Sequence, residues 1–104
     1  MQIYKVFLSD TAKKDLKEIV SYITITESIT KAKHVERGIL SEMKRLGRFP
    51  MAYTKDEYAS TNNKEIRFIM KWRYKILFFI DSDKVQIVGI FHRAQNPNKL
   101  IHKI

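Results

Sequence analysis

Basic side chains and one histidine recur in the last third of the chain, at Arg67, Lys71, His92 and Arg93. An arginine can bind a phosphate through two parallel hydrogen bonds, and a histidine can transfer a proton near neutral pH. Alternate residues of a β-strand share a face, so Arg67 and Lys71 are expected on the same side of one strand. These four residues are our candidate catalytic residues if the chain cleaves a phosphodiester.

The same residue types also have a simpler interpretation. Lysines and arginines on strands are most often solvent-facing residues that discourage sheet aggregation, and we favour that interpretation for Lys75 and Lys84. A histidine at a strand end, such as His92, is more often a hydrogen-bonded structural residue. For Arg67 and Arg93 both interpretations stay open.

A second set of residues is typical of a binding surface. Trp72 falls in a predicted turn beside Arg73, where an exposed indole can stack on an unpaired base or anchor a protein partner. The alternative is that Trp72 covers the edge of a sheet. The basic residues between positions 30 and 48 are predicted to form a docking face for an acidic partner, with an ordinary solvent-facing helix surface as the alternative. The candidate partner-binding residues are Trp72, Arg73, Arg93, Asn96, Lys99, Lys31, Arg37 and Arg45.

The composition narrows the class of function. The 104 residues carry 20 lysines and arginines against 11 acidic residues, a net charge of +9 that should attract a polyanion or an acidic protein. The absence of cysteine excludes disulfides, thiol nucleophiles and cysteine-based zinc sites. The 3 histidines are too scattered to bind a metal. No phosphate-binding loop is present either, so we expect neither metal nor cofactor.

The N-terminal residues of the chain show no targeting signal. The first residues lack the charged and apolar zones of a signal peptide, and no apolar run approaches the ~20 residues of a membrane span. We therefore expect a cytoplasmic protein with no membrane partner.

The apolar content of 44% is enough for one core at this length. The sequence predicts one domain over residues 1–104, with 95–104 as a C-terminal tail.

Helical periodicity follows a short first strand at Ile3–Leu8. Ser9 and Asp10 are good N-cap residues for a first helix, whose apolar stripe comprises Ala12, Leu16, Ile19, Val20 and Ile23. Residues 24–30 are predicted to link it to a second helix capped by Thr30, with the stripe Ala32, Val35, Ile39, Met43 and Leu46. Gly38 inside the second helix predicts close packing against the first.

The period changes in the second half of the chain. Residues 51–63 predict an exposed loop, and three apolar runs follow at Ile66–Lys71, Tyr74–Asp81 and Lys84–His92, in the pattern of an antiparallel meander. The middle run is apolar at successive positions and predicts a central strand covered on both faces. The predicted fold class is α+β: a strand, a two-helix hairpin and a three-stranded antiparallel meander, with the helices on one face of the sheet.

This order of elements, with several local motifs, resembles the RelE/ParE superfamily of bacterial type II toxin-antitoxin systems. The resemblance spans nearly the whole chain. Its segments are Tyr4–Ser9, Asp15–Leu16, Leu46–Pro50, Glu65–Phe68, Tyr74–Ile80 and Val85–Pro97. The pair His92-Arg93 followed by Asn96-Pro97 is most similar to the ParE-like plasmid-stabilisation branch.

The resemblance implies a growth-inhibiting toxin, neutralised by a cognate antitoxin whose C-terminal segment folds on binding. A ParE-like toxin would inhibit DNA gyrase, whereas a RelE-like toxin would be a ribosome-dependent mRNA endoribonuclease that binds RNA. RelE-like nucleases carry a pair of lysines on the second strand and a terminal tyrosine. Here Arg67 is followed by Phe68 and Ile69, and no aromatic residue follows Phe91. The sequence therefore favours gyrase inhibition, with the endoribonuclease and a non-toxic basic binding module as alternatives.

Overall fold

Two helices and four strands form in the part of the chain that the computed structural model describes, residues 3–57, 59–61 and 64–93. Their order matches the sequence prediction. The elements are β1 (Lys5–Leu8), α1 (Asp10–Thr26), α2 (Ile29–Arg45), a 3₁₀ turn (Pro50–Ala52), β2 (Arg67–Lys71), β3 (Tyr74–Asp81) and β4 (Lys84–His92).

The four strands form one mixed sheet in the order β1-β4-β3-β2. The predicted meander is confirmed, because β2 and β3 pair antiparallel and β3 and β4 pair antiparallel. The first strand adds beside the last one in parallel, with Val6 opposite Val85. As a result β4 shares the interior of the sheet with β3, which the sequence had predicted as the central strand.

The first helix begins where the sequence predicted and ends later. The Ser9 hydroxyl accepts a hydrogen bond from the Ala12 backbone N–H at 3.0 Å, which caps the helix. The residues expected to form a linker continue the helix to Thr26. Their β-branched polar character did not break it, because the Thr24 and Thr26 hydroxyls donate to backbone carbonyls four residues earlier, at 2.8 and 2.7 Å.

The second helix is capped by Ser28, so the prediction of Thr30 as the cap is wrong. The Ser28 hydroxyl accepts from the Lys31 backbone N–H at 3.0 Å. Serine and threonine are both good N-cap residues, and Ser28, which comes earlier in the chain than Thr30, is the cap. The connection between the helices shrinks to Glu27 and Ser28, which makes them a tight hairpin.

The main core lies between this hairpin and one face of the sheet. The predicted stripes fill it together with the apolar residues of the two inner strands. The fully buried members include Ile39, Leu46, Ile76, Phe78, Val85 and Ile87. Three residues predicted to be buried, Leu16, Ile19 and Val20, are only partly buried against this cluster. The neighbouring carboxylate of Asp15 takes a buried position on this part of α1 instead.

A smaller core covers the opposite face of the sheet. It comprises Ala59, Ile66, Leu77 and Phe91, so the segment predicted as an exposed loop contributes a buried residue. The loop is fixed by Asp56, which is 3% exposed and whose Oδ2 lies 2.7 Å from the Lys75 ammonium. The prediction of Lys75 as a solvent-facing residue is therefore wrong, whereas Lys84 is exposed as predicted. The cause is a carboxylate 19 positions earlier, which no local pattern indicates.

Candidate functional site

The turn between β2 and β3 places Trp72 against the second helix. Trp72 has a φ of 53°, in the left-handed region that hairpin turns usually fill with glycine. Its indole lies over α2, with its ring centroid 5.2 Å from that of His34. A Cβ atom added at Gly38 would come within 2.2 Å of the indole. The close packing predicted at Gly38 is therefore with Trp72, and the prediction of the first helix as its neighbour is wrong.

The indole is only half covered, since Trp72 remains 48% exposed. One part of the ring packs on α2 and the rest is open to solvent, so the exposed part stays a candidate contact for a partner. The ammonium of Lys71 lies 4.6 Å from the ring centroid and also 3.6 Å from the buried Glu42 carboxylate. Lys71 therefore has a charge partner inside the protein.

The structure brings two of the predicted partner-binding arginines together. The backbone N–H of Arg93 donates to the carbonyl of Arg73 at 2.7 Å, where β4 ends beside the β2–β3 turn. Both side chains are exposed. Together with Trp72 they form an exposed surface of one indole and two guanidinium groups, which we call the basic end of the sheet.

Beside the basic end runs a groove of about 530 Å³ between the helical hairpin and the sheet. Tyr74 and His92 face each other across β3 and β4, with their rings edge to face and 5.6 Å apart. Burial, reinforced by the Glu27 carboxylate, raises the pKa of Tyr74 above its ordinary value of 10.0. The groove therefore favours the neutral phenol, which has a hydrogen to donate.

The candidate catalytic residues do not meet at one point. Lys71 pairs with Tyr74, which pairs with His92, so these residues form a row across the sheet that ends beside Arg93. Arg67 lies four residues from Lys71, about 13 Å at the rise of a strand. Its guanidinium donates to the Tyr53 carbonyl at 2.7 Å and to the Glu65 carboxylate at 2.9 Å.

The predicted partner-binding residues of the second helix are spread along it. Lys31, Arg37 and Arg45 are all exposed. Lys31 forms an ion pair with Glu27, and Arg45 lies 3.3 Å from the Glu42 carboxylate. Asn96, Lys99 and the predicted tail lie outside the described residues.

On the helix side of the groove the sequence analysis named Lys31 as a candidate partner-binding residue but did not identify Tyr22 or Glu27. Tyr22 belongs to α1 and Glu27 to the connection that follows it, and both line the groove together with Tyr74 and His92. A signal was present in Tyr22, a large aromatic residue next to the buried stripe, but no pattern within α1 shows which strand it faces. No group of three or more metal-ligating side chains occurs among residues 3–57, 59–61 and 64–93. The same residues contain no helix long and apolar enough to cross a membrane.

Comparison with protein-family models identifies the family of this chain. The model of the ParE toxin of the type II toxin-antitoxin system parDE matches residues 6–97. The chain belongs to the ParE toxin family. The predicted membership of the RelE/ParE superfamily is therefore confirmed, and the chain is a toxin of a type II toxin-antitoxin system.

Solved structures confirm the predicted fold of this ParE-family toxin. The chromosomal ParDE toxin-antitoxin system from P. aeruginosa is 16% identical with a TM-score of 0.71, covering 86% of this chain and 96% of its own. The RelBE2 toxin-antitoxin complex from Mycobacterium tuberculosis is 18% identical with a TM-score of 0.64, covering 88% of this chain and 99% of its own. No curated protein sequence matches the chain.

Proposed function

We propose that this ParE-family toxin inhibits DNA gyrase by binding it, without a chemical step of its own, and that a cognate antitoxin neutralises it. The observation that carries the proposal is the basic end of the sheet. Trp72, Arg73 and Arg93 are exposed there at the point where the chain continues into Asn96 and Lys99. Exposed tryptophan and arginine side chains are the residue types that most often anchor protein interfaces.

The positions of the candidate catalytic residues support contact rather than cleavage. An endoribonuclease needs cations that are free to neutralise the charge developing on a phosphate. Arg67 is instead bonded to the Tyr53 carbonyl and to Glu65, and Lys71 lies beside the buried Glu42. Using either cation on RNA would require breaking these contacts, and breaking the second would leave Glu42 with one cation fewer.

Charge supports a cognate antitoxin as the partner. The net charge of +9 and the exposed cations of α2, such as Arg37, favour an acidic segment that folds on binding. The two solved relatives are themselves described as toxin-antitoxin assemblies. In this proposal the toxin acts in the cytoplasm, where gyrase works on DNA.

The direct test is supercoiling of relaxed plasmid by purified gyrase with increasing toxin. We expect inhibition by the parent chain and at least a tenfold loss of potency in a double Arg73→Ala and Arg93→Ala variant. Lys14→Ala, which removes one exposed cation from α1, is the control and should retain potency. A parallel translation reaction with purified ribosomes measures mRNA cleavage. Cleavage without loss of supercoiling would overturn the proposal in favour of the endoribonuclease, and neither effect would favour the non-toxic module.

Growth arrest in cells separates contact from chemistry in a second way. Deleting the residues after Pro97 should abolish growth arrest, because Lys99 and its apolar neighbours suit docking, while antitoxin binding should persist. His92→Gln should leave growth arrest intact, since inhibition by contact transfers no proton. Arrest that survives the deletion but disappears in His92→Gln would contradict inhibition by contact.

Antitoxin binding has its own measurement. The association rate of toxin with the antitoxin encoded beside it should fall steeply as salt increases from dilute to physiological buffer. A rate that does not depend on ionic strength would refute a charge-steered antitoxin surface.

A further inference from the structure

A second groove, at the C-terminal end of α2, shares no residue with the groove beside the basic end. It measures about 500 Å³ and we call it the α2-end groove; it is lined by Ser41, Lys44, Arg45, Arg48, Phe49, Ala52 and Tyr53. Three of these residues are cations and none is an acid. Arg45 contacts Glu42, whereas Lys44 and Arg48 form no ion pair with any residue in the described part of the chain. The α2-end groove therefore presents uncompensated positive charge.

Phe49 lines the α2-end groove and has an unusual backbone conformation. Its φ of 51° and ψ of 47° place it in the left-handed region, which is costly for an aromatic residue. This backbone conformation does not bury the ring, because Phe49 is 65% exposed. The ring of Phe49 is part of neither core cluster and is available for contacts at the surface.

Tyr53, which also lines the α2-end groove, is held in place by two contacts. The ring of Tyr53 packs edge to face on the buried Phe78, with 6.0 Å between centroids. The Tyr53 carbonyl accepts from the Arg67 guanidinium at 2.7 Å. The α2-end groove therefore combines the cations Lys44, Arg45 and Arg48 and the exposed ring of Phe49 with a tyrosine that is held by both the core and β2.

We propose that the α2-end groove binds single-stranded nucleic acid, with Lys44 and Arg48 on backbone phosphates and Phe49 stacked on a base. Grooves that bind single strands combine cations along the backbone with aromatic rings on which unpaired bases stack. An acidic peptide would satisfy the cations and leave the ring of Phe49 without a stacking partner. A duplex conceals the faces of its bases, so it too would use only the charges. This activity goes beyond gyrase inhibition and does not depend on it.

Fluorescence anisotropy of the full chain with labelled oligo(dT) and oligo(U) tests the proposal, at about twelve nucleotides, within the site size of such grooves. We expect binding that weakens with salt, and a loss of about tenfold in Phe49→Ala, the size expected for one base stack. Arg48→Ala should lose affinity to a similar degree. Lys33→Ala is the matched control, because it removes an exposed cation of α2 that lies outside the groove, about 16 Å along the helix axis from Lys44. Preference for one oligonucleotide identifies DNA or RNA as the source, and either preference supports the proposal.

Two further variants separate the role of the ring from its role in folding. Phe49→Gly suits a left-handed residue, so its melting temperature should equal or exceed that of the parent while its affinity falls. Phe49→Trp should retain binding. Affinity unchanged in Phe49→Gly, no binding of either oligonucleotide, or a duplex bound as tightly as the single strands would each overturn the proposal. Displacement by a glutamate peptide whose own binding needs Arg48 and not Phe49 would identify an acidic partner instead.

Discussion

The buried carboxylate of Asp15 is the contact whose removal gives the sharpest test of how α1 is attached to the sheet. Asp15 lies on α1 and is 5% exposed. Its Oδ2 accepts a hydrogen bond from the backbone N–H of Ile90 at 3.1 Å. The acceptor sits beside an irregular part of β4, since Leu77 pairs with Gly89 and Phe78 pairs with Ile87, which leaves an extra residue in β4 between them.

Asp15→Ala removes the acceptor and leaves the Ile90 N–H in a site that is 2% exposed. A buried hydrogen bond to a charged group contributes about 1.5 to 3 kcal/mol, so we expect the free energy of unfolding to fall by about that amount. At about 5 °C per kcal/mol for a chain of this size, the melting temperature should fall by about 8 to 15 °C. Asp15→Asn keeps an acceptor oxygen and should lose less.

Urea denaturation followed by circular dichroism measures the effect directly. Glu18→Ala is the matched control, because it removes an exposed carboxylate from the same helix one turn later. The control should change the free energy of unfolding by no more than about 0.5 kcal/mol. Equal losses in Asp15→Ala and Glu18→Ala would refute the reasoning that this hydrogen bond fixes α1 to β4.

Two further predictions concern the groove beside the basic end of the sheet. In Gly38→Ala the new Cβ would lie 2.2 Å from the indole of Trp72, so the ring must move by about 1 Å or more to regain van der Waals distance. Because Trp72 is the only tryptophan, its emission should shift to longer wavelength, and an unshifted spectrum would contradict the packing. The pKa of Tyr74 is higher in the folded protein than its ordinary 10.0, so the unfolded chain loses this proton first and stability falls as pH rises above about 10. Tyr74→Phe should reduce that fall in urea titrations at a series of alkaline pH values, and an unchanged fall would exclude Tyr74 as its source.

The sequence predicted the elements well, because each is set by local periodicity. The stripes of α1 and α2 and the three apolar runs fall where the structure has them. The pairing of β1 with β4 was not predicted, since their partners lie far apart along the chain. The burial of Asp15 and Asp56 and the ion pair of Lys75 were not predicted, for a similar reason. Each charge is satisfied by a distant group, and composition alone favours exposure for all three.

The candidate site was predictable only in part. In the predicted meander, the end of β4 lies beside the turn between β2 and β3. The neighbouring positions of Arg73 and Arg93 were therefore predictable from the sequence. The hydrogen bond of Arg67 to the Tyr53 carbonyl could not be predicted, because every residue type has a backbone carbonyl. The position of Trp72 on α2 depends on the absence of a side chain at Gly38. The sequence analysis identified Gly38 as a site of close packing, but it could not show that Trp72 is the residue packed against it.

The parallel pairing of β1 with β4 has a consequence for how this toxin acquires its shape. Val6 pairs with Val85, 79 positions later (85 minus 6), so this pairing is a long-range contact and should form more slowly than the local pairing of β3 with β4. Until it forms, the sheet beside the helical hairpin has only three of its four strands. The basic end of the sheet does not depend on that pairing, because Arg93 lies beside Arg73 once β4 has paired with β3. The exposed residues of the basic end can therefore be in place before the sheet is complete.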